Sequence, residues 1–187
     1  MELSKYNKVL DFAKTHKKVA NKIKELKSVK SKSLLDIGGG SGLLVHYLED
    51  DFENITILEP SREMTSHVDS SSRFEIINST IQQWSSNLKY DTIVCFDSLH
   101  HFANGFEDGF KEVKDGILKM IEHANNEVII VEPRMNSFKG FSIKMQENWI
   151  LRIGSYFMSV KEYEEVLKDF NYSIKVFREF YIITIRF

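Results

Sequence analysis

The sequence predicts a single α/β domain built on a doubly wound, mostly parallel sheet of seven strands with helices on both faces. Five short β-branched runs, from SLLDI to EVIIVEP, are apolar at nearly every position and alternate with segments of helical spacing. Strands that are apolar on both faces are typical of a parallel sheet covered by helices. The C-terminal stretch YSIKVFREFYIITIRF predicts two final strands, joined by a tight turn near Arg178 and Glu179 and therefore antiparallel.

Composition limits the classes of protein that need to be considered. The chain has 187 residues, 42% hydrophobic and 28% charged, which is ordinary for one globular domain and excludes a disordered or fibrous chain. Its one cysteine, Cys95, excludes an internal disulfide and a cysteine zinc cluster. The start MELSKYNKVL lacks the apolar core of a signal peptide, and no run approaches a membrane span. We therefore expect a cytoplasmic protein with no membrane partner.

Charge is unevenly distributed along the chain. Residues 1–32 hold ten lysines and three acidic residues, a balance of +7, so the formal charge of −2 for the whole chain leaves −9 on residues 33–187. Apolar residues that recur every three or four positions predict one or two amphipathic helices packed on the domain: Leu3, Tyr6, Leu10, Ala13, Val19, Ile23, Leu26 and Val29. We interpret residues 1–32 as a basic helical arm that forms a lid or docks a partner, and residues 33–187 as the main domain. The alternative is a plain solvated helix face.

The predicted elements follow in order. Strands are expected at 33–37, 55–59, 74–78, 91–96 and 127–133. One helix is marked by its apolar spacing, and its residues are Phe106, Phe110, Val113, Ile117 and Met120. Ser159 and Glu162 predict a capping box that opens the last helix, with Asn171 as a left-handed residue ending it.

The span 135–157 fits no strand–helix unit. Four of its aromatic residues line an acceptor pocket or pack in the core, and both interpretations stay open: Phe138, Phe141, Trp149 and Tyr156.

A glycine cluster follows the first strand directly. Four of the nine glycines of the chain stand at Gly38, Gly39, Gly40 and Gly42. In open parallel sheets, ligands bind beyond the carboxyl ends of the strands, where the first strand meets its helix. A phosphate-binding P-loop needs a lysine and a serine or threonine after the last glycine, and Leu43–Leu44 exclude it. A dinucleotide fingerprint fails as well, because Leu43 stands where its third glycine belongs.

The pattern Asp36-x-Gly38-x-Gly40-x-Gly42 resembles motif I of the class I S-adenosylmethionine-dependent methyltransferases. Three further stretches resemble other stations of that family in the expected order: EPSREM after the second strand, YDTIVCFDSLHHF around the fourth, and EVIIVEPR at the fifth. The resemblance covers residues 33–187, with 135–157 poorly matched. It implies a Rossmann-like fold, S-adenosylmethionine as cofactor, and methyl transfer by in-line displacement.

The resemblance also implies roles for individual residues. Glu59 would accept hydrogen bonds from the ribose hydroxyls, and Pro60 and Met64 would flank the adenine. A sulfonium cation without phosphate needs acidic neighbours and bare backbone rather than lysines. Asp36 and Glu59 supply the acidic groups and the glycines supply the bare backbone, while Asp97 either faces the sulfonium or caps the loop. The residues that we assign to cofactor binding are Asp36, Gly38, Gly39, Gly40, Gly42, Glu59, Pro60, Met64, Ser79, Thr80, Phe96 and Asp97.

Two histidines follow the fourth strand. His100 and His101 are candidate general bases, because neutral imidazole accepts a proton near pH 7; alternatively one of them only holds the loop together. Cys95 is interpreted as a core residue of that strand. We expect no metal, since a metal site after the fourth strand would need a cluster of carboxylates and Asp97 stands there alone.

The expected acceptor is an oxygen or nitrogen of a small molecule. The Asn/Asp-Pro-Pro-aromatic motif used on nucleic-acid amino groups cannot occur, because Pro60 and Pro133 are isolated, although nucleic acid and protein acceptors stay open. Two alternative functions remain: an NAD-dependent Rossmann oxidoreductase, and a catalytically silent subunit that binds the cofactor.

Overall fold

The computed structural model describes residues 3–68, 74–103, 108–136 and 154–187. The helices in those ranges are α1 (Leu3–Leu26), α2 (Leu43–His46), α3 (Arg62–Thr65), α4 (Gly109–His123) and α5 (Val160–Leu167). The strands are β1 (Ser33–Ile37), β2 (Asn54–Leu58), β3 (Phe74–Ile77), β4 (Tyr90–Phe96), β5 (Ala124–Pro133), β6 (Asn171–Phe177) and β7 (Phe180–Arg186). Short 3₁₀ turns cover Glu49–Asp51 and Leu99–Phe102.

The seven strands form one sheet in the order β3-β2-β1-β4-β5-β7-β6. Strands β1 to β5 are parallel, and β7 runs antiparallel to both β5 and β6. This confirms the predicted sheet, including the closing antiparallel pair. Ile37 lies in register with Leu58 of β2 and Cys95 of β4, so these three strands end together at one edge. We call this the carboxyl edge.

The sheet is covered on both faces, as predicted. On one face, α1 and α2 contribute Val19, Ile23 and Val45 to a cluster of buried residues that includes Phe180 of β7. On the other face, α4 and α5 supply Val113, Ile117, Met120, Tyr163 and Leu167. Parallel strands sandwiched between two helical layers explain why the strand sequences are apolar at almost every position. Cys95 is completely buried in β4, which confirms its interpretation as a core residue.

Helix α1 is seated firmly from its middle onward. Val19, Ala20 and Ile23 are almost fully buried against the sheet. The segment after α1 is held at the edge of the sheet opposite the carboxyl edge by the buried Glu127 carboxylate. This carboxylate accepts hydrogen bonds from the backbone N–H of Ser28 at 2.9 Å and from the Ser31 hydroxyl at 3.0 Å. The helix ends at Leu26 and Val29 is exposed, so the expectation that Val29 extends the apolar face is wrong.

The later helices agree with their sequence signals in most respects. In α4, Val113, Ile117 and Met120 are buried, while Phe106 lies outside the described residues. The capping box of Ser159 and Glu162 is present in α5. The left-handed stop at Asn171 is wrong, because Asn171 is the first residue of β6 and pairs in extended conformation with Arg186. No helix in the described ranges is both long enough and apolar enough to cross a membrane.

Candidate cofactor site

The glycine loop follows β1 at the carboxyl edge. Gly38, Gly40 and Gly42 have φ of 70°, 54° and 74°, in the left-handed region that glycine adopts without steric cost. A side chain is also excluded at Gly38 by its surroundings, since a Cβ there would lie 1.8 Å from Ser98 Oγ. The loop therefore presents bare main chain at the end of the first strand, as the sequence pattern predicts.

Glu59 directly follows β2 and joins the glycine loop to the next turn. Its Oε2 accepts a hydrogen bond from the Gly40 N–H at 3.1 Å, and its Oε1 accepts one from the Ser61 N–H at 2.9 Å. The residue is 9% exposed. Each carboxylate oxygen has a second lone pair, so Glu59 can still accept hydrogen bonds from a ligand at this edge.

Asp36 lies beneath the loop and is closed off from water. Its side chain is 1% exposed, and its Oδ2 has no hydrogen-bond partner among the described residues. Burial, together with the negative charge of Glu59, raises the pKa of Asp36 from 3.8 to about 7. A buried carboxyl group of this kind ionises most readily when a positive charge or a hydrogen-bond donor comes close to it.

A cleft of about 270 Å³ opens beside the loop at the carboxyl edge. Six of the predicted site residues line it: Gly38, Glu59, Pro60, Ser79, Thr80 and His101. The remaining lining residues were not predicted: Ile37, Leu58, Ile81, Gln82, Ser98 and Phe102.

Other predicted residues lie near the cleft without lining it. Gly39, Gly40 and Gly42 form the loop itself, and Met64 Cε lies 3.3 Å from the position that a Cβ on Gly40 would take. Asp97 has a left-handed φ of 53°, and its N–H donates to Val131 O at 2.9 Å. Phe96 points to the α1 side of the sheet, where its ring lies 4.9 Å from that of His16 and 5.6 Å from that of Phe180. The structure therefore does not bring Phe96 into the cleft.

The two histidines occupy different environments. His100 is 1% exposed, and its Nδ1 lies 2.6 Å from Glu132 Oε2. The other carboxylate oxygen of Glu132 accepts the backbone N–H groups of Ser98 and Leu99, each at 2.9 Å. His101 is exposed, lines the cleft, and has its Nδ1 3.1 Å from Ser155 Oγ. Geometry thus gives His101 access to a ligand and places His100 behind it.

Comparison with models of protein families shows to which family the chain belongs. The model of a family described as "Methyltransferase domain" matches residues 12–175. The chain belongs to this methyltransferase family. Its resemblance to the class I S-adenosylmethionine-dependent enzymes is thereby confirmed.

A curated relative of the chain is distant in sequence. Among curated proteins, the ubiquinone biosynthesis O-methyltransferase of Rickettsia prowazekii is 24% identical over an alignment 159 residues long, which covers 76% of the chain and 59% of that protein. The chain thus spans less than two thirds of that relative.

Solved structures show the same fold. Magnesium protoporphyrin IX methyltransferase from Synechocystis with bound S-adenosylmethionine has a TM-score of 0.67 at 15% identity, with 99% of this chain and 83% of that one covered. DesVI from Streptomyces venezuelae has a TM-score of 0.72 at 12% identity, covering 100% and 98%.

Two of the residues that were missed in the sequence shape the site through hydrogen bonds. Glu132 holds the loop after β4, and the signal that could have found it is a carboxylate at the end of the otherwise apolar run VIIV. Gln82 donates from Nε2 to Phe102 O at 2.9 Å and so connects the two walls of the cleft; one polar residue in a loop carries no comparable signal. Of the four aromatic residues named in the span 135–157, Tyr156 is described, and its backbone N–H donates to His100 O at 2.9 Å. Phe138, Phe141 and Trp149 lie outside the described residues.

The residues present fit S-adenosylmethionine. A positively charged nucleoside without phosphate is favoured by a buried carboxyl group, a carboxylate at the rim and a backbone that can be approached closely, and Asp36, Glu59 and the glycine loop provide these. No lysine or arginine is among the described residues that line the cleft, so a phosphate would find no cation there.

Proposed function

We propose that this chain transfers a methyl group from S-adenosylmethionine to an oxygen or nitrogen of a small molecule. The observation that carries the proposal is the arrangement at the carboxyl edge, where a left-handed glycine loop lies between the Glu59 carboxylate and the unpartnered Oδ2 of Asp36. The name of the Rickettsia relative, an O-methyltransferase, supports an oxygen acceptor.

Binding of the cofactor rests on five residues of this chain. Glu59 accepts from the ribose hydroxyls while it holds Gly40, and Pro60 borders the adenine. Ser79 and Thr80 supply hydroxyl groups at the end of β3, where they line the same cleft. Asp36 supplies a carboxyl group under the loop, and the positive charge of a bound cofactor would favour its ionised form. S-adenosylmethionine, when bound, supplies a methyl group on a positively charged sulfur that leaves readily.

Proton removal falls to His101 in this proposal. The residue lines the cleft and its Nδ1 is held by the Ser155 hydroxyl, which orients the ring. A neutral imidazole in this place accepts the proton of a hydroxyl or amine acceptor. His100 is a positioning residue, since Glu132 fixes both its imidazole and the backbone of the loop that carries His101.

Residues 1–12 and 135–157 are proposed to enclose the acceptor. Helix α1 runs from the carboxyl edge, where His16 touches Phe96, toward the opposite edge, where Ser28, two residues beyond the helix, binds Glu127. Leu3 lies thirteen residues before His16, so at about 1.5 Å per residue the start of α1 extends about 20 Å beyond His16. This reach supports the proposal that the start of the helix is a lid over the cleft.

The proposal is tested by binding and turnover together. Calorimetric titration of the chain should give tight binding of S-adenosylmethionine and S-adenosylhomocysteine and none of NAD. Binding of NAD alone would favour the oxidoreductase instead. A methyl-labelled cofactor incubated with a panel of phenols, amines and carboxylic acids should label a product, whereas tight binding without any product would favour a silent subunit.

A cytoplasmic location is also proposed. The only thiol of the chain is buried in the core, so the fold needs no oxidising compartment. Fractionation of the source cells with an antibody to the chain checks this, and recovery from an extracellular fraction would contradict it.

A further inference from the structure

A serine in the loop after β4 has a hydroxyl that does not cap the turn that follows it. Ser98 stands at the N-cap of the 3₁₀ turn Leu99–Phe102, where a serine side chain normally accepts a hydrogen bond from a backbone N–H of the turn. In the part of the chain that the structure describes, the Ser98 side chain makes no such capping hydrogen bond. The backbone N–H groups of Ser98 and Leu99 donate instead to Glu132 Oε1, each at 2.9 Å. The Glu132 carboxylate thus replaces the serine as the cap of this turn.

The Ser98 side chain lies against the glycine loop. A Cβ placed on Gly38 would lie 1.8 Å from Ser98 Oγ and 2.5 Å from Ser98 Cβ, so a glycine is needed there to leave room for the serine. Both residues line the cofactor cleft, and so does His101, whose backbone N–H donates to Ser98 O at 3.0 Å. The Ser98 hydroxyl therefore lies between the glycine loop and the turn that carries His101.

The order of the strands indicates which part of the cofactor lies at this position. Strands β3, β2, β1 and β4 are neighbours in that order, and the connections of the sheet diverge between β1 and β4, where open parallel sheets bind their ligands. Ser79 and Thr80 follow β3 and Glu59 follows β2, so the nucleoside occupies that side of the cleft in the proposed function. A ligand that crosses the edge in this order brings its sulfur and its amino-acid group to Gly38 and Ser98.

The charge of the surroundings favours the ammonium of that amino-acid group over its carboxylate. The Asp36 carboxyl group lies beneath the glycine loop and is 1% exposed, and Glu132 Oε1 lies 2.9 Å from the backbone nitrogen of Ser98. No lysine or arginine stands among the described residues that line the cleft. A ligand carboxylate would be repelled by these neighbours, whereas an ammonium group is attracted and needs acceptors for its three N–H donors. A serine hydroxyl is such an acceptor.

We propose that the Ser98 hydroxyl accepts a hydrogen bond from the α-ammonium group of the bound cofactor. Ser98 is then a specificity-determining residue, because it distinguishes ligands that carry this amine from nucleosides that lack it. S-adenosylmethionine and S-adenosylhomocysteine both carry the amine, so binding of the demethylated product reports the contact. The inference rests on the proposed function, since it adds a residue to the same cofactor site.

Calorimetric titration of the full chain with three ligands tests this contact. S-adenosylhomocysteine has the amine and the carboxylate, S-adenosyl-3-thiopropylamine has the amine alone, and 5′-methylthioadenosine has neither. Ser98→Ala should raise the Kd of the first two by about tenfold or more, as expected for a hydrogen bond to a charged group, and should leave that of 5′-methylthioadenosine within about threefold of the parent. Unchanged Kd values, an equal loss for all three ligands, or a loss confined to S-adenosylhomocysteine would overturn the proposal.

Ser159→Ala is the matched control, because the Ser159 hydroxyl does cap its helix and accepts the Glu162 N–H at 3.3 Å. This control should lower Tm by about 2–4 °C and keep all three Kd values. Ser98→Ala removes no cap and should keep Tm within about 1 °C, so a fall as large as that of the control would show a structural role and contradict the proposal.

The same titrations separate this inference from the proposed function. A parent protein that binds none of the three ligands would refute the proposed function and with it the role of Ser98. Binding of S-adenosylhomocysteine that is equally tight in the parent and in Ser98→Ala would refute the role of Ser98 alone.

Discussion

Glu59→Gln is the sharpest perturbation of the cofactor site. The glutamate carboxylate accepts from two backbone N–H groups, those of Gly40 and Ser61, and each of its oxygens keeps a lone pair for the ribose. Glutamine has the same shape but one acceptor oxygen, so its NH₂ group must face one of these donors. A hydrogen bond to a charged group contributes about 1.5–3 kcal/mol. The Kd for S-adenosylhomocysteine should therefore rise by about 10- to 150-fold.

Isothermal titration calorimetry measures this Kd directly. Glu63→Gln is the matched control, because it removes the same charge from an exposed position in α3, and its Kd should stay within about threefold of the parent, as expected for a surface substitution. Circular dichroism checks that the Glu59→Gln protein is folded. A folded Glu59→Gln protein with an unchanged Kd would refute the assignment of Glu59 to the ribose.

Four further changes test other parts of the structure. Burial raises the pKa of Asp36 above its ordinary value, so this group stabilises the cofactor-free protein at low pH, and that contribution is lost as pH rises through about 7. Urea denaturation should show a loss of about 2.5 kcal/mol in the free energy of unfolding between pH 5 and pH 8. An Asp36→Asn variant with the same pH dependence would contradict this cause. Glu127→Gln should lower the free energy of unfolding by about 2–4 kcal/mol, because the glutamine NH₂ group would face the hydrogen-bond donors of Ser28, Ser31 and Thr92. A loss no larger than that of the control Glu122→Gln, at an exposed position, would argue against this role of Glu127. His101→Gln should lower kcat by about 10²–10⁴ with little change in the Kd for S-adenosylhomocysteine, and an unaltered kcat would remove His101 as the base. Deletion of residues 1–12 should raise the KM of the acceptor if the start of α1 is a lid, and unchanged kinetics in a folded protein would exclude that role.

The sheet was predictable because its signals are local. Each parallel strand is a short apolar run, so SLLDI is found at 33–37 with the bounds that the structure gives to β1. The glycine loop and Glu59 were predictable for a related reason, since unusual residue types stand directly after strands. The ends of helices were harder to place. Asn171 has the residue type of a helix stop, yet pairing with Arg186 requires an extended backbone there.

Contacts between segments that are distant in the sequence could not be predicted, because no local pattern of residues marks them. Glu132 and His100 are 32 residues apart, and their contact depends on the register of β4 against β5, which the sequence does not specify. Phe96 illustrates the same limit. Both faces of β4 are buried, so its residues carry no alternation of polar and apolar types, and the side of the sheet to which Phe96 points could not be read from the chain.

A crystal structure of the chain with S-adenosylhomocysteine would show whether the glycine loop and Glu59 hold the cofactor. We expect the nucleoside beside the glycine loop, with both ribose hydroxyls within hydrogen-bonding distance of Glu59 and the sulfur toward His101. Electron density for the nucleoside at any other place, or a ribose out of reach of Glu59, would contradict it.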